Sequence, residues 1–374
     1  MTSTKKDSSI ADFGADIMLK QLLAMQAEAD GVLQAVDIEY IHRMRVASRR
    51  LRAAQVLFDD CLPKRHVDDW EKLIRRVTRS LGQARDLDIQ LETLQRFRLM
   101  VMDPRCQIGA SRLYLRLLQS RSAAQKQVEE AVRRFTTAGV LTYIQPRLQK
   151  LVDEKSVDPG YSPELYALAD ASIRRRLDEF LAYEEFVIQP ERITELHAMR
   201  IAAKHLRYTI EIFDPLYPDG LKQWLKPLKD IQEVLGLIHD CDVWAGFLPG
   251  FIEDERRLTM AFFGHLRGFR RILPGLEVFA QNRAADRGRH YRDFLVLWRS
   301  SKKKRLWDKL RELTIASVAV RAVAMENNQA EESAPGELSE AVPAEIILNE
   351  TEAPLPETIL QGTEEQSSED RGDQ

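Results

Sequence analysis

Three cysteines in 374 residues, Cys61, Cys106 and Cys241, are too few and too scattered for a disulfide framework. They are expected as isolated buried thiols in a reducing compartment. Long apolar runs are missing too: no stretch reaches the roughly 18 apolar residues of a membrane span. The opening MTSTKKDSSIADFG has no apolar core of the kind a secretory leader needs, so a cytoplasmic protein with no membrane partner is expected. No segment sustains a period of two, which argues against a sheet. Also absent are a Gly-rich phosphate loop, a GxSxG elbow, zinc spacing of Cys and His, and an acidic cluster suited to Mg²⁺. No catalytic residue, metal ligand or cofactor is therefore expected, and the chain reads as a non-enzyme.

What is present is charge, unevenly divided. Of 55 basic and 58 acidic residues, 14 acidic and one basic fall in 325–374, leaving 1–324 at +10 and the tail at −13. A basic body calls for a polyanionic partner. The tail is rich in Glu, Pro and Ser, with few aromatics, and is expected to be disordered, as is 1–9. A flexible tethered polyanion would compete with any anionic ligand of the body.

Apolar residues three and four apart predict helices over 14–37, 39–59, 67–81, 85–99, 111–135, 164–186, 193–213, 221–236, 241–271, 285–300 and 305–323. Breaks are expected at Pro63, Pro104, Gly139, Pro159-Gly160, Pro190, Pro218-Asp219-Gly220 and Pro274-Gly275. An internal repeat orders these elements. IHRMRVASRRLRAAQVLFDDCLP (41–63) aligns with LHAMRIAAKHLRYTIEIFDPLYP (196–218), pairing His42 with His197, Arg45 with Arg200, Arg52 with Arg207 and Phe58 with Phe213. After one deletion, Trp70 meets Trp224 and LGQARDLD (81–88) meets LGLIHDCD (235–242). The reading is an all-α body, 10–324, made of two pseudo-symmetric helical bundles, 10–150 and 163–324, joined by a linker at 151–162.

On a wheel with His42 at zero, Arg45, Arg49 and Arg52 fall near roughly 300°, 340° and 280°. Met44, Ala47, Leu51 and Phe58 gather on a different face. The second copy repeats the stripe with His197, Arg200, Lys204 and Arg207. Like charges at these spacings repel, so the stripe makes sense if an anion lies along it. The guanidinium fork suits phosphate. A solvated face with snorkelling side chains is the bland alternative, but both copies keep basic residues at the matched positions. Further basic sets are Lys72, Arg75 and Arg79; Lys222, Lys226 and Lys229; and Arg112 with Arg116. Lys72 and Arg75 are repeat-equivalent to Lys226 and Lys229. Arg267 with Arg271, and the run Lys302–Arg305, read as solvated surface.

Asp86 and Asp88, matched by Asp240 and Asp242, admit three readings: helix N-caps, ion pairs that orient stripe arginines, or metal ligands. His239-Asp240 spells the dipeptide of HD phosphohydrolases. Arg85 holds the first copy's place, however, and no further ligands accompany it, so the aspartates are taken as structural or orienting.

The blocks His42-x-x-Arg45-Val46-x-x-Arg49-Arg50-Leu51-Arg52 and His197-x-x-Arg200-Ile201-x-x-Lys204-His205-Leu206-Arg207 resemble the signature of the CHAD family, the conserved histidine α-helical domain. Arg85-Asp86-x-Asp88 is similar to its second motif. The resemblance covers roughly 10–320. It implies two four-helix bundles around a basic cavity or groove, in a non-catalytic module that binds inorganic polyphosphate and associates with polyphosphate granules. The stripe residues, Arg50 and His205 among them, would be its phosphate ligands. Lys204-His205 departs from the Arg-Arg of the pattern, and His239 stands where the first copy has Arg85. The first copy is therefore expected to be the tighter half. The ExExK signature of the triphosphate tunnel enzymes often fused to this family is missing.

Competing classes are a nucleic-acid binder, an enzyme of phosphoanhydride hydrolysis, and a scaffold for an acidic protein segment. A nucleic-acid binder calls for stacking aromatics, and Tyr208 is the one candidate in the stripes. With His42 and His197 heading the stripes, polyphosphate binding is expected to tighten as pH falls from about 8 to about 6.

Overall fold

Helix starts are written into the sequence. Asp37 accepts a hydrogen bond from the Glu39 N–H at 2.9 Å, Asp103 accepts from Arg105, and Ser162 accepts from Leu165. Pro104 and Pro163 follow directly at the first helical position, where a missing N–H costs nothing. In the computed structural model, residues 8–35, 37–59, 64–153, 161–217 and 220–315 are described. They contain α1 (Ser8–Gln34), α2 (Ile38–Leu57), α3 (Lys64–Met100), α4 (Pro104–Thr136), α5 (Leu141–Asp153), α6 (Pro163–Leu181), α7 (Ile193–Phe213), α8 (Lys222–Phe263) and α9 (Arg267–Lys303). A last helix, α10, covers 306–315. No strand occurs among the described residues. The protein is all-α.

Several expected boundaries move. Segments 67–81 and 85–99 are one continuous helix, α3, and 221–236 joins most of 241–271 in α8. Pro274-Gly275 lies inside α9 rather than ending a helix. The stop falls instead at Gly264, whose φ of 70° is the left-handed cap that terminates α8. Helix α5 was not expected, and Ser8 and Ser9 already belong to α1. The rest of the N-terminal segment, the centre of the linker (154–160), Cys61, the breaks at Pro63, Pro159-Gly160 and Pro218-Asp219, and all of 316–374, including the acidic tail, lie outside the described residues.

The helices pair in sequence order: α1 with α2, α2 with α3 and α3 with α4, then α6 with α7, α7 with α8 and α8 with α9. Across the halves, α2 packs on α7 and α4 on α9. Phe58 and Phe213, equivalent in the two sequence copies, meet edge to face at 5.9 Å, and Phe13 stacks on Phe213 at 6.1 Å. One apolar core therefore runs through both halves. A second core joins Leu94, Phe97 and Leu113 of α3 and α4 to Trp244, Leu248 and Phe279 of α8 and α9.

The α4–α9 crossing is backbone on backbone. A Cβ on Gly109 would lie 2.0 Å from the Ile272 carbonyl oxygen, and one on Gly275 would lie 2.1 Å from that of Cys106. Only glycine admits that approach. The crossing seats the α3–α4 and α8–α9 hairpins against each other, and the α2–α7 contact brings the two stripes together.

Candidate anion-binding cleft

Arg45 and Arg49 of α2 face Arg200 and Lys204 of α7 across a cleft of about 300 Å³. Its other walls include His197, Asp86 from α3, and His239, Asp240 and Trp244 from α8. A neighbouring cleft of about 440 Å³ shares Arg49, Ile201 and Lys204 and adds Arg52, His205 and Arg176. The two stripes thus converge, with Arg49 and Lys204 where the clefts meet.

The repeated Leu-Gly step has a steric role here. A Cβ on Gly82 would sit 3.9 Å from Arg45 Nε, and one on Gly236 would sit 3.5 Å from Arg200 Nε. Arg45 and Arg200 thus each lie over a glycine on the helix behind them. Asp86 pairs with Arg45 at 3.5 Å. Among the described residues, no carboxylate comes within ion-pair distance of Arg49, Arg200 or Lys204, and the buried Arg200 Nε has no hydrogen-bond partner.

These cations repel one another in a desolvated setting. Burial, with Arg49 one turn along α2, pushes Arg45 down to about 10. Burial and then Arg200, Arg49 and Arg45 push the Lys204 amine down to about 6. His239 is driven to about 4 by burial and by His197, whose ring lies tilted against it at 4.0 Å. Burial raises Asp240 despite Arg200. His42 and His197 are both lowered by burial first, then by Arg85 and Arg200 respectively. Both keep an unpartnered buried Nδ1. All three histidines are thus less basic than a free imidazole, and Lys204 is the cleft group carried furthest from its ordinary value.

Other expected ligands are held elsewhere. Arg50 and Arg207 both donate to Glu211, and Arg207 also donates to Gln232. Arg112 and Arg116 each reach Glu255 at 2.7 Å, a carboxylate only 2% exposed, and so tie α4 to α8. Lys72 pairs with Asp69, Arg75 with Glu71 and Lys229 with Glu233 on exposed surface, where Arg79, Lys222 and Lys226 also lie. Of these, Arg75 is near enough to lower Arg52.

The aspartates are not helix caps, because they lie in the interiors of α3 and α8. Ion pairing is the observed role of Asp86, Asp88 and Asp242, while Asp240 lies near Arg200 without an ion pair. Asp88 accepts from Arg121 at 2.6 Å and Asp242 from Arg287, which brace α3 to α4 and α8 to α9. Sequence reading missed Arg176, Arg121, Arg287, Glu211 and Glu255. Only the Arg174-Arg175-Arg176 run offered a signal.

Among the described residues, no three His, Cys, Asp or Glu side chains converge as a metal site, and no helix is long and apolar enough to cross a membrane. Cys106 and Cys241 are buried free thiols, and burial pushes Cys241 up to about 11.

The family model for the CHAD domain matches residues 16–249. The crystal structure of the CHAD domain from the plant Ricinus communis is similar, with a TM-score of 0.55 at 20% identity, over 77% of this chain and 90% of that one. PptA from Streptomyces chartreusis superposes with a TM-score of 0.51 at 16% identity, over 77% and 99%. No curated protein matches the sequence.

Proposed function

The chain belongs to the CHAD domain family, and from that premise we propose that it is a non-catalytic module that binds inorganic polyphosphate in the cleft between α2 and α7, at polyphosphate granules. The observation that carries the reading is the cluster of Arg45, Arg49, Arg200 and Lys204, desolvated, mutually repelling and short of carboxylates. Folding brings cations together at this cost only where something else contributes the counter-charge. A linear polyanion does so and leaves the two adjoining clefts a continuous path. A nucleic-acid reading finds little to stack on, because the aromatics at the clefts are buried: Tyr208 lies beneath the Arg207 guanidinium at 4.7 Å and Trp244 packs edge to face on Phe279.

The test is a binding isotherm with polyphosphate of graded length, at several salt concentrations, against single-stranded RNA as competitor. Long chains are expected to outcompete RNA of equal charge. By analogy with single-stranded nucleic acid, Arg45→Ala/Arg49→Ala should reduce the slope of log affinity against log salt by about 1.4, at 0.7 per lost contact. Normal helicity with an unaltered slope would return the stripe to ordinary solvated surface.

A further inference from the structure

Lys204 is unusual within the cluster because it is a nucleophile as well as a cation. It is 8% exposed, and it lines both clefts at their junction with Arg49. Among the described residues, no carboxylate lies within ion-pair distance of its amine, although Asp86 and Asp240 attract it from further off. Arg200 is one turn away on the same face of α7, and Arg45 and Arg49 stand across the cleft. A phosphate subsite is thereby placed beside a primary amine.

We propose that this cleft is a site of self-acylation, in which a small acyl phosphate is held by Arg45, Arg49 and Arg200 and transfers its acyl group to Lys204 Nζ. The proposal rests on the phosphate recognition assigned above but concerns a different ligand and a chemical step. The amine lone pair attacks the acyl carbon, so a C–N bond forms. The C–O bond to phosphorus's bridging oxygen breaks, and inorganic phosphate leaves with that electron pair. The proton lost from nitrogen passes to the departing phosphate. No oxidant, metal or further reactant is needed.

Free-base population supports the step. An ordinary lysine has roughly one amine in 2,500 unprotonated at pH 7, whereas Lys204 is pushed down to about 6 and is mostly free base there. A bound phosphate raises that value, but the three guanidiniums oppose the rise. The product is a neutral amide at the junction of the clefts. It ends the proton uptake by which a bound polyanion would turn Lys204 into a cation, so acylation would lower polyphosphate affinity. Acylation would thereby make the level of small acyl phosphates, which are mixed anhydrides, a control on polyanion capture.

The experiment incubates the full chain with acetyl phosphate at pH 7.5 and follows acetyl occupancy of every lysine by peptide mass spectrometry. Lys204 is expected to acetylate at least tenfold faster than exposed Lys222 and Lys302. Inorganic phosphate should slow it selectively, and Arg200→Gln or Arg45→Gln should shrink the preference. Acetic anhydride, which carries no phosphate, should show a smaller preference. Lys204 lagging the exposed lysines, or a preference unaffected by inorganic phosphate and by both variants, would overturn the proposal. Polyphosphate binding is scored separately in the same samples. Binding without Lys204 selectivity sinks the acylation alone. Lys204 selectivity that polyphosphate does not block sinks the polyphosphate reading and leaves the acyl phosphate site standing.

Discussion

Among the titratable groups of the cleft, which include His197, His239 and Asp240, the Lys204 amine moves furthest from its ordinary value. Lys204 sits at about 6 rather than 10.5, with burial as the first cause and Arg200, Arg49 and Arg45 next. Asp86 and Asp240 attract it, but neither forms an ion pair with it. A polyanion raises the value, so the complex binds a proton that the free protein lacks at neutral pH. Affinity should therefore climb as pH falls from about 8 towards 6 and level off below it. Lys204→Met should remove most of that climb, and Lys204→Arg should flatten it at high affinity, as read by isotherms at fixed salt. Without ligand the sign reverses for folding: the unfolded chain holds the proton that the native one sheds, so stability should rise with pH from about 6 towards 10. A second residue-scale test uses Gly236. An added methyl would lie in ordinary contact with Arg200 at 3.5 Å, and alanine favours a helix interior by about 0.5–1 kcal/mol over glycine. Gly236→Ala should raise the melting temperature with affinity kept. Gly236→Leu should displace Arg200 and cost about tenfold in polyphosphate affinity.

At the scale of helices, the basic residues divide by what they face. Arg112 and Arg116 looked like the stripe cations in sequence, yet they clamp a buried carboxylate of α8. Changing both to alanine leaves Glu255 buried and uncompensated. The expected cost is about 3 kcal/mol, the low end of the range for breaking a buried pair, because both guanidiniums reach solvent. Denaturant unfolding should register it while polyphosphate affinity stays within about twofold. Spacing on one helix made the His42–Arg52 and His197–Arg207 stripes legible, since 3.6 residues per turn is a local rule. It could not reveal that Glu211 neutralises Arg50 and Arg207, which depends on how α2 and α7 dock. Nor could it reveal that α3 and α8 run unbroken. Gly82 and Gly236 look like interruptions in sequence, but their missing side chains serve the arginines lying over them.

For the molecule as a whole, all-helical character follows from pattern, whereas a shared basic groove is only what the family resemblance implies; the convergence arises because α2 and α7 carry the same apolar face into the same core. The unity of that core does not follow. Two similar halves suggest two self-sufficient bundles. Phe13, Phe58 and Phe213 instead form one aromatic cluster, and Trp244 packs with Phe279 and Phe97 in another. Each half contributes only part of either core, and the glycine crossing of α4 and α9 has no counterpart within a half.

The shared core bears on how the protein can be divided. Produced alone, residues 1–153 would expose Phe13 and Phe58 along with Leu94, Phe97 and Leu113, an apolar face of the kind that drives aggregation. Produced together as separate polypeptides, 1–153 and 161–374 hold matching faces and should reconstitute a heterodimer that elutes as one species. That makes the protein a candidate for a split reporter, in which two inert pieces report their own reunion. Two independently folded, non-associating halves in size-exclusion chromatography would show that the aromatic cluster does not bind them.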